Sequence, residues 1–286
     1  MSKVLPTIDS PSSTAAIYPH APNQFHIVLG QIEERVQLPG ENILEIGCGQ
    51  GDCTVALAAA IGEAGHVTAV DPASLDYGSP YTLGQGQKHI RASTLGPRIS
   101  FVQADPLDFL ARTTDTYITA ILAHCIWYFS SADTLRDILS ALIPHTRRIC
   151  IAEYALRATD PRAMPHVLAA LTLASLECRK LTSTSNIRTV LSPAAITMAA
   201  SSAGLVLVRE DIIVPSEGML DGRWEVGTVL SEDFEREVVE SVQDSRERAL
   251  VMAMRDSVQA AKEILKEKGE QVRTMDVWVA AFETRT

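Results

Sequence analysis

The sequence predicts an α/β fold, a doubly wound and mostly parallel β-sheet with helices packed on both of its faces. Two observations support this prediction. Short apolar segments recur along the first half of the chain, and segments with helical periodicity separate them. Continuous apolar runs of this kind are typical of strands that are buried on both faces. The second observation is a glycine-rich turn that joins the first apolar segment directly to a predicted helix, as in open parallel sheets.

Five segments are expected to form the parallel strands. They are residues 42–46, 66–71, 99–103, 117–123 and 148–152. Apolar residues at helical spacing predict a helix before the first strand, over 23–36, and another before the fifth strand, over 133–142. Asp52 and Thr54 are of the residue types that commonly start helices, and they precede the apolar run 55–61.

The second half of the chain departs from regular alternation. Residues 161–181 and 193–203 have helical patterns, and residues 205–214 and 273–283 have strand-like patterns. Between these two strands, over 231–271, apolar residues recur at helical spacing opposite a face of mixed charge. We interpret 231–271 as a surface helix or a pair of helices with a solvated outer face.

Length and composition fit one domain without a nucleic-acid partner. The chain has 286 residues and a mass of 31.0 kDa, and 46% of the residues are hydrophobic, as in a folded protein with a full core. Residues 1–14 are rich in Ser, Thr and Pro and are expected to form a mobile tail. We expect 15–286 to be a single domain with a helical lid around 161–203. The net charge of −10 disfavours binding to a phosphate backbone.

The sequence also argues against a membrane-spanning protein and against a secreted protein. No apolar run approaches the roughly 20 residues that a membrane-spanning helix needs. The first residues lack the apolar segment of a secretory signal. The five cysteines are odd in number and form no Cys-x-x-Cys pair, which disfavours disulfide frameworks and zinc sites. We therefore expect a cytoplasmic protein.

The most informative stretch is the turn after the first strand, Leu44-Glu45-Ile46-Gly47-Cys48-Gly49-Gln50-Gly51-Asp52. Glycine permits positive φ and lets a ligand approach the backbone closely. The dinucleotide fingerprint G-x-G-x-x-G, counted from Gly47, needs glycine at position 52. Asp52 instead places a negative charge near the helix terminus that a pyrophosphate would occupy. The Walker pattern is absent too, because no Gly-Lys-Ser/Thr follows.

What remains is an acidic-x-Gly-x-Gly-x-Gly turn with a second acidic residue, Asp71, at the end of the next strand. This pattern resembles the signature of class I S-adenosylmethionine-dependent methyltransferases, and the resemblance covers about residues 40–155. It implies a Rossmann-like, seven-stranded sheet in which 205–214 and 273–283 form a final antiparallel pair. The implied cofactor, S-adenosyl-L-methionine, carries a sulfonium and an ammonium but no phosphate, which suits a site rich in carboxylates.

The resemblance also implies a role for individual residues. Gly47, Gly49 and Gly51 would shape the loop under the methionyl part, and Asp71 would bind the two ribose hydroxyls. Asp105 would lie where the family binds the adenine amino group, and Ala123 and His124 would line the reacting methyl. The full set of residues expected to contact the cofactor is Glu45, Gly47, Cys48, Gly49, Gly51, Asp71, Pro72, Asp105, Pro106, Ala123 and His124.

Each of these assignments has a structural alternative. The glycines could form only a tight strand–helix turn. Asp71 could be a helix N-cap with Pro72 at the first helical position, and Asp105 could be a turn residue. Glu45 could hold the glycine loop through backbone N–H groups and water rather than contact the cofactor.

The methyl acceptor is expected to be a small organic molecule. Family members that methylate nucleic-acid amino groups carry Asn/Asp-Pro-Pro-aromatic after strand four, whereas this chain has Ala123-His124-Cys125-Ile126-Trp127-Tyr128. Metal-dependent members need a carboxylate at the same strand end, and its absence predicts no metal. His124 is the candidate general base, followed by Tyr128 and Glu153, although His124 could equally line the site without moving a proton. The candidate substrate-binding residues are Tyr18, His20, Trp127 and Trp224, of which Trp224 is expected in a glycine-bordered loop after the strand over 205–214.

We therefore predict methyl transfer from S-adenosylmethionine to a small organic acceptor by in-line displacement. Two other functions stay open. The same fold could use the cofactor in a non-methylating cyclisation, or it could be a non-catalytic binding module. The acceptor atom and the oligomeric state also stay open, with a homodimer among the possibilities.

Overall fold

The fold is taken from a computed structural model, which describes residues 40–78, 81–180, 183 and 185–284. The predicted tail over 1–14, the predicted helix over 23–36 and the candidate residues Tyr18 and His20 lie outside these ranges.

Seven strands form one sheet in the order β3-β2-β1-β4-β5-β7-β6. The first five strands run parallel to one another, which confirms the predicted doubly wound arrangement. Their bounds are β1 (Asn42–Ile46), β2 (His66–Asp71), β3 (Ile99–Gln103), β4 (Tyr117–Ala123) and β5 (Thr146–Tyr154). The strand order reverses between β1 and β4, and open α/β sheets bind ligands at the carboxyl ends of the strands beside such a switch point.

The last two strands, β6 (Leu205–Ile213) and β7 (Val277–Thr284), are antiparallel to their neighbours, as expected. Strand β7 begins later than the predicted residue 273, because the four residues before it bind other segments. The N–H of Arg273 donates to the carbonyl of Arg162, and the N–H of Asp276 donates to the carbonyl of Arg157. These backbone groups are therefore not available to the sheet.

The described residues contain nine α-helices. Their bounds are α1 (Asp52–Ala60), α2 (Leu83–Arg91), α3 (Pro106–Arg112), α4 (Ala132–Leu142), α5 (Met164–Glu177), α6 (Pro193–Ser202), α7 (Asp221–Val229), α8 (Glu232–Ser241) and α9 (Ser245–Glu267). Helix α2 starts with a capping box, in which Thr82 accepts from the Gln85 N–H and Gln85 accepts from the Thr82 N–H. None of the described helices combines the length and apolarity needed to cross a membrane.

Helices α5, α7, α8 and α9 enclose a hydrophobic cluster of their own, beside the core of the sheet. The predicted helical stretch over 231–271 is two helices, because Asp244 caps α9 by accepting from the N–H groups of Arg246 and Glu247. The predicted loop around Trp224 is wrong, since Trp224 lies within α7. The predicted helix over 161–181 is a 3₁₀ turn at Pro161–Ala163 followed by α5.

Candidate functional site

The turn between β1 and α1 contains three glycines with positive φ: 75° at Gly47, 52° at Gly49 and 102° at Gly51. A Cβ on Gly47 would lie 2.4 Å from the Cβ of Cys125, and a Cβ on Gly51 would lie 2.5 Å from Cδ1 of Ile90. These two glycines therefore let the loop pack against its neighbours. A Cβ on Gly49 would meet no heavy atom within 4 Å, so the middle glycine faces open space, where a ligand can approach the backbone.

Asp71, at the end of β2, holds this loop in place. Its Oδ2 accepts a 2.8 Å hydrogen bond from the Gly49 N–H, and its Oδ1 accepts a 2.8 Å bond from the Ala73 N–H. No helix begins at Asp71 or Pro72, since the next helix starts at Leu83. The alternative in which Asp71 serves as a helix N-cap is therefore wrong. Each carboxylate oxygen retains a lone pair for a further donor.

Gln87 braces the same loop from α2, and the sequence analysis missed it. The side chain is buried, and its Nε2 donates a 2.9 Å hydrogen bond to the carbonyl of Gly49. Leu83, Gln87 and Ile90 follow each other at helical spacing on the buried face of α2. A polar residue on an otherwise apolar helix face is the sequence signal that could have revealed it.

Glu45 lies inside the protein, 1% exposed, and no backbone N–H of the described residues donates to its carboxylate. Its Oε2 accepts a 2.6 Å hydrogen bond from the Thr54 hydroxyl, which ties β1 to α1. Burial raises the pKa of Glu45 to about 7, although the Thr54 bond opposes this shift. Burial and the nearby carboxylate of Asp221 likewise raise the pKa of Asp52, at the start of α1, to about 6.

Asp105 follows β3 and caps α3. Its Oδ1 accepts hydrogen bonds from the N–H groups of Leu107 and Asp108, at 2.8 and 3.3 Å, and Pro106 is the first residue of the helix. The structure therefore gives Asp105 the local role of a cap, and contact with an adenine stays a prediction. Cys48 is buried within the glycine loop, where burial raises the pKa of its thiol.

His124 follows Ala123, the last residue of β4, and has a φ of 50°, a conformation that non-glycine residues seldom adopt. Its N–H donates to the carbonyl of Ala152, which fixes the backbone at this edge. The side chain is 10% exposed, and Nδ1 lies 3.6 Å from Oε1 of Glu153. Neither ring nitrogen has a hydrogen-bond partner among the described residues. A buried imidazole of this kind is free to bind a ligand.

Glu153 lies within β5 and is almost fully buried. Its Oε2 accepts a 3.0 Å bond from the Ile126 N–H, and its Oε1 accepts a 3.0 Å bond from the Tyr154 N–H. Glu153 therefore shapes the turn after β4 and places a carboxylate beside His124. Its predicted catalytic role stays a prediction.

Tyr154 forms an aromatic wall behind His124 that the sequence analysis did not identify. Its ring centroid lies 4.6 Å from that of His124, 5.3 Å from that of Trp127 and 5.1 Å from that of His166 on α5. Tyr154 itself is buried. Its position at the last residue of β5 is what places it opposite His124.

The remaining predicted acceptor residues lie at different depths. Trp127 is buried, and its Nε1 donates to the carbonyl of Leu191. Tyr128, next to it in a 3₁₀ turn, is 44% exposed, and Trp224 on α7 is 52% exposed. No group of three or more His, Cys, Asp or Glu side chains with metal-binding geometry occurs in the described part of the chain.

Comparison with known proteins gives a consistent answer. A family described as a methyltransferase domain matches residues 43–145. The methyltransferase phomM′ of Diaporthe leptostromiformis is 30% identical to this chain, over 93% of this chain and 75% of its own length. A second methyltransferase of that fungus, phomM, matches to the same extent.

Solved structures share the whole fold. A cyclopropane-fatty-acyl-phospholipid synthase-like protein from Lactobacillus casei ATCC 334 is 26% identical, with a TM-score of 0.79, over 98% of this chain and 95% of its own. Magnesium protoporphyrin IX methyltransferase from Synechocystis PCC 6803, with bound S-adenosylhomocysteine, is 13% identical with a TM-score of 0.52, over 99% and 90% of the two chains, and shares the fold. Since phomM′ is 30% identical over most of both chains, this chain belongs to the S-adenosylmethionine-dependent methyltransferases.

Proposed function

We propose that the protein transfers a methyl group from S-adenosylmethionine to a small organic acceptor, which binds at the carboxyl ends of β4 and β5. The observation that carries this proposal is the pairing of two features at one sheet edge. Gly49 presents open space beside the Asp71 carboxylate, and at the end of the neighbouring central strand His124 presents two ring nitrogens that form no hydrogen bond with the described residues. The first feature suits a cofactor, and the second suits a reacting group.

The residues present fit the cofactor. The open position at Gly49 would admit the methionyl part, and the remaining lone pairs of Asp71 would accept the ribose hydroxyls. Asp105 and Pro106 would border the adenine, and Ala123 would lie beneath the methyl group. The cofactor supplies an electrophilic methyl group on a sulfonium.

The chain's own contribution to the reaction is positioning and proton transfer. Holding a nucleophile in line with the methyl group can contribute roughly 7–11 kcal/mol to lowering the barrier. His124 accepts the proton that the acceptor loses, because neither of its ring nitrogens forms a hydrogen bond within the described part of the chain. Glu153, 3.6 Å away, stabilises the imidazolium that forms. Tyr128 and Trp127 border the acceptor from the turn after β4.

Several features support a small acceptor over a nucleic acid. The chain has a net charge of −10, and the charges that raise the pKa of Tyr154 are those of carboxylates. We infer that α5 and α6, within the predicted lid over 161–203, cover the acceptor, together with Trp224 on α7.

The five cysteines are free, which supports a cytoplasmic location. We leave the oligomeric state open, with a homodimer among the possibilities.

The experiment incubates the protein with methyl-labelled S-adenosylmethionine and a panel of small metabolites, with mass spectrometry as the readout. We expect label on one class of acceptor and stoichiometric S-adenosylhomocysteine. The variant His124→Asn is the matched control, since asparagine tolerates the same backbone conformation. A product that is rearranged but unlabelled, with the cofactor recovered intact, would instead identify a cyclisation. Cofactor binding without turnover of any compound would identify a binding module.

A further inference from the structure

A histidine–glutamate pair lies next to Tyr154, with a buried histidine and a glutamate side chain that is 19% exposed. His166 on α5 is fully buried, and its Nδ1 accepts a 2.9 Å hydrogen bond from the Met275 N–H. A nitrogen that accepts a hydrogen bond carries no proton, so the ring proton lies on Nε2. Nε2 then donates a 2.8 Å hydrogen bond to Oε2 of Glu225 on α7. The backbone donor thus fixes the tautomer of His166, and His166 fixes the orientation of Glu225.

This pair lies next to the residues assigned to methyl transfer. The edge of the His166 ring packs on Tyr154, with ring centroids 5.1 Å apart, and Tyr154 packs on His124 with centroids 4.6 Å apart. Oε1 of Glu225 makes no hydrogen bond with the described part of the chain. One oxygen of Glu225 is therefore held by His166, while the other is available to a ligand.

Two further carboxylates face the same ring. Burial raises the pKa of the Tyr154 hydroxyl, and the charges of Asp221, Glu225 and Glu153 raise it further. Across the ranges that the structure describes, no lysine or arginine lies within 4 Å of the Asp221, Glu225 or Glu153 carboxylates. His124 is nine-tenths buried, and neither of its ring nitrogens forms a hydrogen bond over the described ranges, which independently indicates that a ligand belongs here.

We propose that Glu225, oriented by His166, is an acceptor-binding residue and that, with Asp221 and Glu153, it gives the acceptor side of the methyl group a negative potential. This potential favours a cationic or hydrogen-bond-donating group next to the methyl and disfavours an anionic one. The inference rests on the proposed function, because it places the acceptor at this wall.

The test uses two ligands of the cofactor site that differ in the group directed toward the acceptor. S-adenosylhomocysteine has a neutral thioether there, whereas sinefungin carries an amine that is protonated at neutral pH. Titration calorimetry on the full chain should show sinefungin binding about tenfold more tightly than S-adenosylhomocysteine. In Glu225→Gln the ratio of the sinefungin affinity to the S-adenosylhomocysteine affinity should fall by about threefold or more, while the affinity for S-adenosylhomocysteine stays unchanged.

The design separates the charge of Glu225 from its structural role. A glutamine oxygen still accepts the hydrogen bond from His166, so α5 and α7 stay joined in Glu225→Gln and the melting temperature should hold. Glu232→Gln, on the exposed side of α8, removes the same charge away from the site and should keep the full preference. Asp221→Asn is a second variant that should also reduce the preference for sinefungin. It tests the negative potential if Glu225→Gln does not fold.

Equal affinities for the two ligands in the parent would overturn the inference. An unchanged preference in both variants would also overturn it and would leave Glu225 as a link between α5 and α7 only. Neither result would affect the proposed function, which the labelled-methyl experiment tests separately. Conversely, the protein could prefer sinefungin as expected and yet transfer no methyl group. That result would overturn the proposed function and leave this inference in place.

Discussion

The N–H of Gly49 donates a 2.8 Å hydrogen bond to Oδ2 of Asp71, so the glycine loop after β1 and the carboxylate at the end of β2 form one unit. The two strands are adjacent and parallel, with Ile46 opposite Val70, which brings their carboxyl ends to the same level. Gly49, which leaves open space for a ligand, is thereby bonded to Asp71, the residue assigned to the ribose of the cofactor. We therefore expect a substitution of Gly49 or of Asp71 to lower the affinity for the cofactor.

The first prediction concerns Asp71. Asp71→Ala removes the acceptor for the Gly49 N–H and the assigned partner of the ribose hydroxyls. A charge-assisted hydrogen bond contributes roughly 1.5–3 kcal/mol, so the affinity for S-adenosylhomocysteine should fall by about one to two orders of magnitude. Titration calorimetry measures this. Asp76→Ala, an exposed carboxylate in the same connection, is the control and should bind like the parent. Parent-like affinity in Asp71→Ala would remove Asp71 from the site.

The second prediction uses two glycines with the same conformational demand. Gly49 and Gly62 have φ of 52° and 71°, and a Cβ at either would meet no heavy atom within 4 Å. Alanine at either position should therefore cost a similar roughly 1–2 kcal/mol of stability, from the left-handed backbone conformation alone. Only Gly49→Ala places its methyl group where the cofactor would approach. We expect a loss of S-adenosylhomocysteine affinity in Gly49→Ala and none in Gly62→Ala. Equal affinities in the two variants would mean that Gly49 serves the turn only.

The parallel half of the fold could be predicted closely from the sequence. Strands β1 to β4 have the predicted bounds, because each is a short apolar run between turn residues. The start of β7 could not be predicted in this way. Met275 bonds to His166, 109 residues away in the chain, and such a contact leaves no trace in local periodicity. Trp224 was misplaced in a loop for a related reason, because the flanking glycines obscured the short helix α7.

The candidate site likewise contains some residues that local sequence patterns predict and others that they do not. The glycine loop and Asp71 follow local patterns, so they could be predicted from the sequence. Gln87, Tyr154 and Glu225 did not stand out, because each acquires its role only when another element packs against it. Gln87 is an ordinary helical residue until the carbonyl of Gly49 lies 2.9 Å from its side chain. Glu225 is one of many helical glutamates until His166 orients it.

The third prediction concerns the base. In His124→Asn the backbone conformation is retained, since asparagine tolerates a positive φ. Loss of a general base should lower the rate of methyl transfer by roughly 10²–10⁴-fold, with cofactor affinity nearly unchanged. The pH profile of the rate should also differ in shape between the parent and the variant. The assay uses the acceptor found with labelled cofactor. A pH profile of unchanged shape in the variant would show that His124 only lines the site.

The last prediction follows from the buried carboxyl of Glu45. Burial raises its pKa from 4.5 to about 7, so between these pH values the folded protein binds a proton that the unfolded chain has released. The contribution of Glu45 to the free energy of unfolding therefore falls as the pH rises through this window, by on the order of 3 kcal/mol. Glu45→Gln cannot ionise, yet its side-chain oxygen still accepts from the Thr54 hydroxyl. Urea unfolding of the cofactor-free protein should show parent and variant equally stable near pH 5 and the variant more stable at pH 8. Glu63→Gln is the control, because that side chain is 95% exposed, and it should keep the pH dependence of the parent. If Glu45→Gln also keeps that dependence, the Glu45 carboxylate is stabilised in the folded protein by an interaction that the Thr54 bond does not account for.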